Sequence, residues 1–388
     1  MGETMAKWYR LAGLLLTLAV IMGSIRACQL SRFPGQGSGE GQESIDPGEV
    51  GLTLRDVTLE QPDENGQLLW RVKGEEVTYS PDREVAQIKR PDGELFQDGE
   101  IIYRVKADQG EIRENGQIVF LRGNIVATGV QNNSVLRGNE LEWRPDDDVL
   151  IVRDRITGNH PQLRAAAREA RVYNRQNRME LEGSVVATTV VKDPKTEPWL
   201  KMQTDKLVWL WKQERVETDQ PLRVEQFKAN SVTDVVTGRR GNADLARKLV
   251  TLNQDVTLQL LQMPLQGNSD VAVWDVGKQT VRIDAPVRLV QPRERVVVTA
   301  AQGQIDLGQQ RVYLNQNVRA QGDRNQSQLT ANRLTWNVED QTVLAEGDVN
   351  YQQGDPAVRV VGPRAVGQIK EQTVVVSGGR VVTEIVPN

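Results

Sequence analysis

The sequence feature that most constrains the fold is an internal repeat of about 31 residues. A polar or glycine-containing pair followed by an apolar residue recurs along the chain. In the last five copies the apolar residue is Val256, Val287, Val318, Val349 and Val381. The four spacings between them are 31, 31, 31 and 32 residues. A period of this length, kept over many copies, is typical of stacked repeats in which each unit packs on its neighbours.

A second, longer period runs in step with the first. An aromatic residue, usually within a Leu-x-Trp element, recurs at Tyr79, Trp143, Trp209, Trp274 and Trp336. These spacings of 64, 66, 65 and 62 residues correspond to two of the shorter units. Between the repeated elements apolar and polar residues alternate, as in Val281-Arg282-Ile283-Asp284. Such alternation is typical of strands with one buried face. We therefore predict two strands in each short unit of about 31 residues.

Three stretches depart from the regular pattern. Residues 192–198, Lys-Asp-Pro-Lys-Thr-Glu-Pro, predict a loop inserted between two strands. The gap between Leu222 and Val256 is 34 residues, an excess that the sequence does not explain. The run 165–171 (Ala-Ala-Ala-Arg-Glu-Ala-Arg) favours a helix by composition. Because the strand-like repeat continues on either side of this run, we predict a strand there.

Glycine and proline inside the predicted strands mark a shared bend. Gly347-Asp348, Gly362-Pro363 and Gly378-Gly379 fall near the middle of three successive strands. Within strands these residue types mark bulges or sharp bends. Antiparallel neighbours that all bend at the same level form a sheet folded over on itself. We therefore predict an all-β fold, a long β-jellyroll of about 18 to 20 bent antiparallel strands with apolar side chains lining a trough.

Charge and composition exclude several classes of function. Lys plus Arg is 48 and Asp plus Glu is 52, a net charge of −4 that disfavours a nucleic-acid partner. One Cys and one His are too few for an internal disulfide or a Cys/His zinc site. His160 lies in a predicted bend, and Asp146-Asp147-Asp148 predicts a solvated turn. With scattered carboxylates and no phosphate-binding glycine loop, we predict neither an enzyme nor a bound metal or cofactor.

The N-terminal residues predict attachment to a membrane. Lys7 and Arg10 precede a charge-free apolar run over residues 11–25, a length that fits a signal sequence or a short anchor. Cys28 follows in a sequence similar to a lipoprotein acylation site, except that Arg26 stands where that pattern has an uncharged residue. A lipidated Cys28 and an uncleaved helix with an ordinary cysteine are both compatible with these residues.

The chain thus divides into three regions. Residues 1–27 predict a membrane anchor or lipoprotein signal, and residues 28–48, rich in Gly, Gln and Ser, predict a flexible linker. The folded body extends over residues 49–388. Positive charge before the apolar run and a long polar chain after it place the body outside the cytoplasm.

The repeat resembles a known family. Residues 310–318 (Gln-Arg-Val-Tyr-Leu-Asn-Gln-Asn-Val) and 327–336 (Ser-Gln-Leu-Thr-Ala-Asn-Arg-Leu-Thr-Trp) are similar to the OstA-like β-jellyroll of lipopolysaccharide export. Together with the N-terminal hydrophobic segment, they make the chain most similar to the LptC family. The chain is longer than the usual member of that family and resembles the extended form found in cyanobacteria.

The resemblance implies a periplasmic, lipid-binding component of the lipopolysaccharide export machinery, held at the inner membrane. The implied partners are lipopolysaccharide, an ABC exporter of the LptB/LptF/LptG type and an LptA-like or LptD-like jellyroll. Lipid would pass through an apolar groove whose candidate residues are Trp143, Trp209, Trp274, Trp336, Leu314, Val318, Val343 and Val349. For the tryptophans, packing of the sheet interior is the favoured interpretation and lining of the lipid path is the alternative.

The two ends of the stack are predicted to be open strand edges. Val57 and Leu59 mark the N-terminal edge, which would meet the exporter. Val374, Val376 and Val381 mark the last strand, which would add to a partner jellyroll by strand pairing. The alternative function is a membrane-tethered structural or adhesive β-solenoid of the envelope, which shares the repeat but needs no apolar groove. A carbohydrate-active solenoid enzyme is disfavoured, since no carboxylate pair recurs at a shared position.

Overall fold

In a computed structural model, residues 52–131, 133–324, 326–354, 357–371 and 373–385 are described, and they form one antiparallel sheet. Two short 3-10 turns, Glu114–Gly116 and Trp211–Gln213, connect successive strands of this sheet. The strands are β1 (Thr53–Pro62), β2 (Leu68–Tyr79), β3 (Ala86–Lys89), β4 (Asp92–Gln97), β5 (Glu100–Lys106), β6 (Gln109–Arg113), β7 (Ile118–Gly129), β8 (Val135–Arg144), β9 (Val149–Asn159), β10 (Leu163–Tyr173), β11 (Arg178–Thr189), β12 (Trp199–Leu210), β13 (Arg215–Thr218), β14 (Leu222–Lys228), β15 (Ser231–Gly238), β16 (Arg240–Asp244), β17 (Leu249–Leu260), β18 (Leu265–Asp275), β19 (Thr280–Ile283), β20 (Val287–Gln291), β21 (Val296–Ala300), β22 (Gln302–Asp306), β23 (Arg311–Gly322), β24 (Ser327–Asn337), β25 (Thr342–Gln353), β26 (Val358–Gln368), β27 (Thr373–Ser377) and β28 (Val382–Ile385).

The sheet is folded over along its middle, as the sequence predicts. In the part of the chain that the structure describes, fourteen strands run through the bend unbroken and seven are split there into two segments, so that the 28 segments form 21 bent strands. The two arms of neighbouring strands pair separately. For example, β3 pairs with β6 on one side of the bend while β4 pairs with β5 on the other. The arms thus make two layers, and at about 4.8 Å per strand the stack is roughly 100 Å long. The predicted all-β jellyroll is confirmed.

The bend is produced by pairs of residues in the left-handed region of backbone conformation. In β23, Gln316 and Asn317 have φ of 64° and 53°, and the two together face the single residue Asn332 of β24. Two residues opposite one make a β-bulge, which bends the strand and increases its twist. The same doublet recurs at Gly123-Asn124, Asp154-Arg155, Gly183-Ser184, Gln254-Asp255 and Gly347-Asp348. These are the polar or glycine pairs of the repeat, so the predicted position of the bend is confirmed.

A five-residue turn repeats with the same 31-residue period at one end of the bent strands. The carboxylate of Asp244 accepts a hydrogen bond from the backbone N–H of Arg247 at 2.8 Å. Asp275 and Asp306 accept equivalent bonds, each from the N–H three residues later, at the same distance. Each turn donates to the turn before it: the N–H of Val276 binds the carbonyl oxygen of Lys248 at 3.0 Å. The turns therefore form a hydrogen-bonded ladder that favours a constant unit length.

The irregular stretches have simple structural causes. Residues 190–198 are the loop between β11 and β12, where the sequence predicts an insertion. The hairpin of β14 and β15 takes seventeen residues, 222–238, where the equivalent hairpin of β20 and β21 takes fourteen, 287–300. These three residues account for the excess between Leu222 and Val256. The run 165–171 lies within β10, so the predicted strand is confirmed.

Candidate lipid-binding trough

A single row of inward-facing residues crosses the layer that carries the five-residue turns. Each member pairs with the next across adjacent strands. The row is Tyr79, Ala86, Ile112, Val119, Trp143, Leu150, Val172, Met179, Trp209, Val216, Ala243, Val250, Trp274, Val281, Ile305, Val312, Trp336, Val343, Gly367 and Val374. An aromatic residue occupies every fourth place, a step of about 19 Å. The aromatic period seen in the sequence is thus one line along the trough interior.

The four tryptophans of this row share an unusual hydrogen-bonding state. Their side chains are at most 3% exposed. Among the described residues, the buried Nε1 of each finds no hydrogen-bond acceptor. Trp70, which lies in the other layer, shows the usual arrangement, because its Nε1 donates to the carbonyl oxygen of Gly116 at 2.7 Å. An indole N–H that is buried normally has such a partner.

The free ends of the two layers form two facing rows of turns, which we call rim A and rim B. Rim A belongs to the layer with the tryptophan row, and rim B belongs to the other layer. The turns of rim A include residues 114–117, 145–148, 174–177, 211–214, 245–248, 276–279, 307–310 and 338–341. The turns of rim B include residues 63–67, 98–99, 160–162, 190–198, 229–230, 261–264 and 292–295. The interior of the trough lies between these rims and the bend.

Polar contacts join the rims in the N-terminal half of the stack. Gln97 Nε2 donates to Asp148 Oδ1 at 2.6 Å, and the backbone N–H of Arg175 donates to Asp148 Oδ2 at 3.0 Å. The Arg175 guanidinium also reaches Asp98 on rim B at 3.4 Å. The expectation that Asp148 is a solvated turn residue is wrong, since it is 8% exposed. Burial raises the pKa of its carboxyl group despite these donors.

A second contact between the rims surrounds the single histidine. Gln162 Nε2 donates to Glu214 Oε1 at 2.5 Å, and the His160 ring packs edge-on against Trp209 with 4.6 Å between ring centroids. His160 Nδ1 accepts a hydrogen bond from the Gln162 N–H, which fixes the predicted bend. Burial lowers the pKa of His160, so that its neutral form packs against the indole. These contacts close the trough over Trp209.

Near the C-terminal end the rims border a cavity of about 110 Å³. Apolar side chains from both layers line it, namely Val296, Val298, Leu329, Leu334, Trp336 and Val343. At its lip Arg324 and Glu294 form an ion pair at 2.9 Å on rim B. The arrangement has an apolar interior and a charged border, which suits an amphipathic ligand whose chain is buried and whose head group faces water.

The cavity beside Trp336 arises from one missing side chain. Gly367 occupies the row position that Ile305 holds two units earlier, and it lines the cavity. A Cβ atom built on Gly367 would lie 3.5 Å from the carbonyl oxygen of Thr373 and 3.6 Å from Val374 Cγ2, an ordinary contact distance. The space is therefore available to a side chain and is left open by the glycine.

The structure separates the groove residues predicted from the sequence into two sets. Trp336 and Val343 border the cavity. The others lie in the packed interior, and these are Trp143, Trp209, Trp274, Leu314, Val318 and Val349. The sequence interpretation missed Gly367 and Leu329. An alignment of the chain with itself at the 31-residue period would have revealed the glycine, because Gly367 then falls in line with Ile305.

The residues predicted at the partner edges lie in the first and last strands of the described chain. Val57 and Leu59 are half-buried in β1, which pairs with β2. Val374 and Val376 are half-buried in β27, and Val381 precedes β28; both strands pair with β26. Exposed valines lie in all three strands of this edge, namely Val361 and Val366 in β26, Val375 in β27 and Val382 in β28. Binding of a partner at either edge stays a prediction.

Within the described ranges, no cluster of His, Cys, Asp and Glu is arranged to hold a metal ion. In the same part of the chain, no helix is long and apolar enough to span a membrane. The predicted anchor over residues 1–27, Cys28 and the linker over residues 28–48 lie outside the described residues. They stay predictions.

Comparison with known proteins identifies the family. The model of the family described as "Lipopolysaccharide-assembly, LptC-related" matches residues 14–151, 133–261 and 269–382. The chain belongs to the LptC family. Three successive matches along one chain agree with its greater length, and membership places the protein in lipopolysaccharide assembly. The resemblance seen in the 31-residue repeat is confirmed.

Two further comparisons concern curated proteins and solved structures. No curated protein matches the chain. Among solved structures, the chain is similar to LptH of Pseudomonas aeruginosa, described as the LptA-homologous periplasmic component of the lipopolysaccharide transport device. The identity is 16%, the match covers 39% of this chain and 82% of LptH, and the TM-score is 0.20.

A buried carboxylate inside the trough gives a test of its apolar character. Asp234 faces inward between Gln226 and Leu260 of the neighbouring strands and is 6% exposed. Burial raises its pKa, so its contribution to stability is present below the unfolded-state pKa and is lost as the pH rises through the folded-state pKa. We expect Asp234→Asn to raise the thermal unfolding midpoint at pH 7. Calorimetry at a series of pH values should show this gain disappearing in acid, and an equal gain at all pH values would contradict a charged, desolvated Asp234.

Proposed function

We propose that this protein carries lipopolysaccharide from an ABC exporter of the LptB/LptF/LptG type toward the outer membrane, with the acyl chains inside the trough. Residues 1–27 would attach it to the inner membrane, so that the body lies in the periplasm. The observation that carries this proposal is the apolar interior that opens between the rims beside Trp336. Support comes also from the row of inward residues that continues from Tyr79 to Val374, and from membership of a lipopolysaccharide-assembly family.

The chemistry of the cavity fits one end of an acylated lipid. Each methylene transferred from water into the apolar interior contributes about 0.8 kcal/mol. The sugar and phosphate groups would stay outside, because an uncompensated charge in such an interior is strongly disfavoured. Arg324, whose side chain is 40% exposed at the lip, offers a guanidinium group to a phosphate. No catalytic step is part of this function, and energy for movement would come from the exporter.

Site-specific photo-crosslinking in cells tests the proposal. A photoreactive residue at Val343 or Leu329 should crosslink strongly to lipopolysaccharide, since both line the cavity. Leu314, buried beyond the cavity, should crosslink less, and the exposed Arg319 should give background. Equal crosslinking at Arg319 and Val343 would count against a lipid groove and would favour the alternative, a tethered structural or adhesive β-solenoid. That alternative shares the bent stack but makes no use of the cavity.

The C-terminal edge gives a separate prediction about partners. A partner strand pairing with β27 and β28 would place its side chains about 4.5–5.5 Å from those of Val375 and Val382. Both valines are more than half exposed, so replacing them with Asp should leave stability unchanged. We expect the V375D/V382D variant to lose capture of an LptA-like or LptD-like jellyroll in a pull-down. Asp at the exposed Thr58 in β1 is the control and should have no effect, while unchanged capture by the double variant would exclude this edge.

A further inference from the structure

The indole N–H of each of the four tryptophans in the interior row has no hydrogen-bond acceptor in the described part of the chain. A buried polar group without a partner costs about 1–3 kcal/mol. Phenylalanine would fill most of the same apolar space without that cost. The indole nevertheless stands at four equivalent places, Trp143, Trp209, Trp274 and Trp336, and the Nε1 of each lacks an acceptor among the described residues. Packing alone explains the ring and leaves the recurring donor unexplained.

The surroundings of Trp336 limit what the missing acceptor can be. Its neighbours in the row are Val312 and Val343, both apolar, and the cavity beside it is opened by Gly367. Any acceptor that reaches this donor through the cavity would therefore enter a mainly apolar space. A plain hydrocarbon has no acceptor, and a bare phosphate is too costly to desolvate there. A neutral carbonyl group at the head of an acyl chain satisfies both conditions.

The depth of Trp336 in the trough agrees with this assignment. The indole lies at the end of β24, two residues before the rim A turn at residues 338–341. An acyl chain with its tail toward the bend and its head group at the rims would place its linking ester or amide close to this level. The buried donor and the lipid carbonyl would thus meet at the boundary between the apolar interior and the charged lip.

We infer that Trp336 Nε1 donates a hydrogen bond to the ester or amide carbonyl oxygen of an acyl chain bound in the cavity. This inference rests on the proposed function and adds a determinant of specificity to it. The site then prefers acyl-linked lipids over ether-linked lipids of the same length and head group. Trp274, Trp209 and Trp143 present the same donor at steps of about 19 Å, so an acyl chain moving along the trough meets an equivalent partner at each step.

A matched pair of probes tests the inference on the full chain held in an amphipol. The probes are lysophosphatidylglycerol with one 14-carbon ester-linked chain and its ether-linked analogue, which lacks only the carbonyl oxygen. We expect the ester probe to bind about fivefold more tightly, the ratio that one net hydrogen bond provides. With 15N-labelled indoles, the Trp336 resonance can be assigned by its absence in Trp336→Phe. We expect this resonance to shift when the ester probe binds and to stay in place with the ether probe.

Trp336→Phe should bind both probes with the affinity of the ether analogue, because the ring remains and only the donor is lost. Trp199→Phe is the matched control, since its Nε1 already donates to the carbonyl oxygen of Ala229 and its ring stacks on Phe227 outside the trough. Equal binding of the two probes by the wild type, or a preference that persists in Trp336→Phe, would overturn the inference and leave lipid carriage intact. Failure of both probes to bind would overturn the proposed function as well.

Discussion

Replacing Gly367 by isoleucine is expected to abolish acyl-chain binding in the C-terminal cavity without unfolding the protein. The new side chain would occupy the space of about 110 Å³ beside Trp336 and restore the residue type found at Ile305. The backbone of Gly367 has no positive φ, and the nearest atoms to its Cβ position are at 3.5 and 3.6 Å. A β-branched residue is favoured in a strand where glycine is not, so stability should rise.

The effect on binding follows from the volume that is filled. Exclusion of only two methylenes from the cavity forfeits about 1.6 kcal/mol, which is more than a tenfold loss of affinity. Binding of the 14-carbon ester probe should therefore fall progressively through the series Gly367→Ala, Gly367→Val and Gly367→Ile. Thermal unfolding of each variant provides the control for folding. Wild-type affinity in Gly367→Ile would show that acyl chains bind elsewhere along the trough.

The cavity and the closed part of the trough have different consequences for lipid movement. Contacts such as Gln97–Asp148 and Gln162–Glu214 join the rims over the N-terminal half. Each such hydrogen bond contributes about 0.5–1.5 kcal/mol to stability. That is small beside the burial of several methylenes, so an acyl chain can separate the rims as it enters. At the open cavity near the C-terminal end, an acyl chain can enter without separating the two rims.

The features that repeat could be predicted from the sequence, and those that occur once could not. The bend was predictable because doublets such as Gln316-Asn317 precede an apolar residue in copy after copy. The tryptophan row was predictable because a constant spacing places equivalent residues in line along a stack. The burial of Asp148 was not predictable because its partners, Gln97 at the end of β4 and Arg175 in a neighbouring turn, are far from it in sequence. Contacts between the rims depend on how the two layers close, which no local pattern encodes.

Trp274→Ala is expected to cause the largest loss of stability of any single change in the interior row. Trp274 is 1% exposed and lies between Val250 and Val281, in the middle of the stack. Removing a buried tryptophan side chain typically costs about 3–5 kcal/mol, because the surrounding strands fill the space only in part. Chemical denaturation should show this loss in the free energy of unfolding. Trp199→Ala, on the outer face, should cost much less, since Trp199 stacks on Phe227 and lies outside the hydrophobic core.

The distribution of this loss along the chain separates packing from lipid binding. In a stack each unit contacts only its neighbours, so destabilisation should be concentrated around the changed unit. Hydrogen exchange in Trp274→Ala should therefore accelerate most in β17, β18 and β19 and least in β1 and β2. Trp274→Phe keeps most of the buried ring and should recover most of the stability. If Trp274→Ala cost no more than Trp199→Ala, the row would not form the structural interior, and its tryptophans would be retained for the lipid alone.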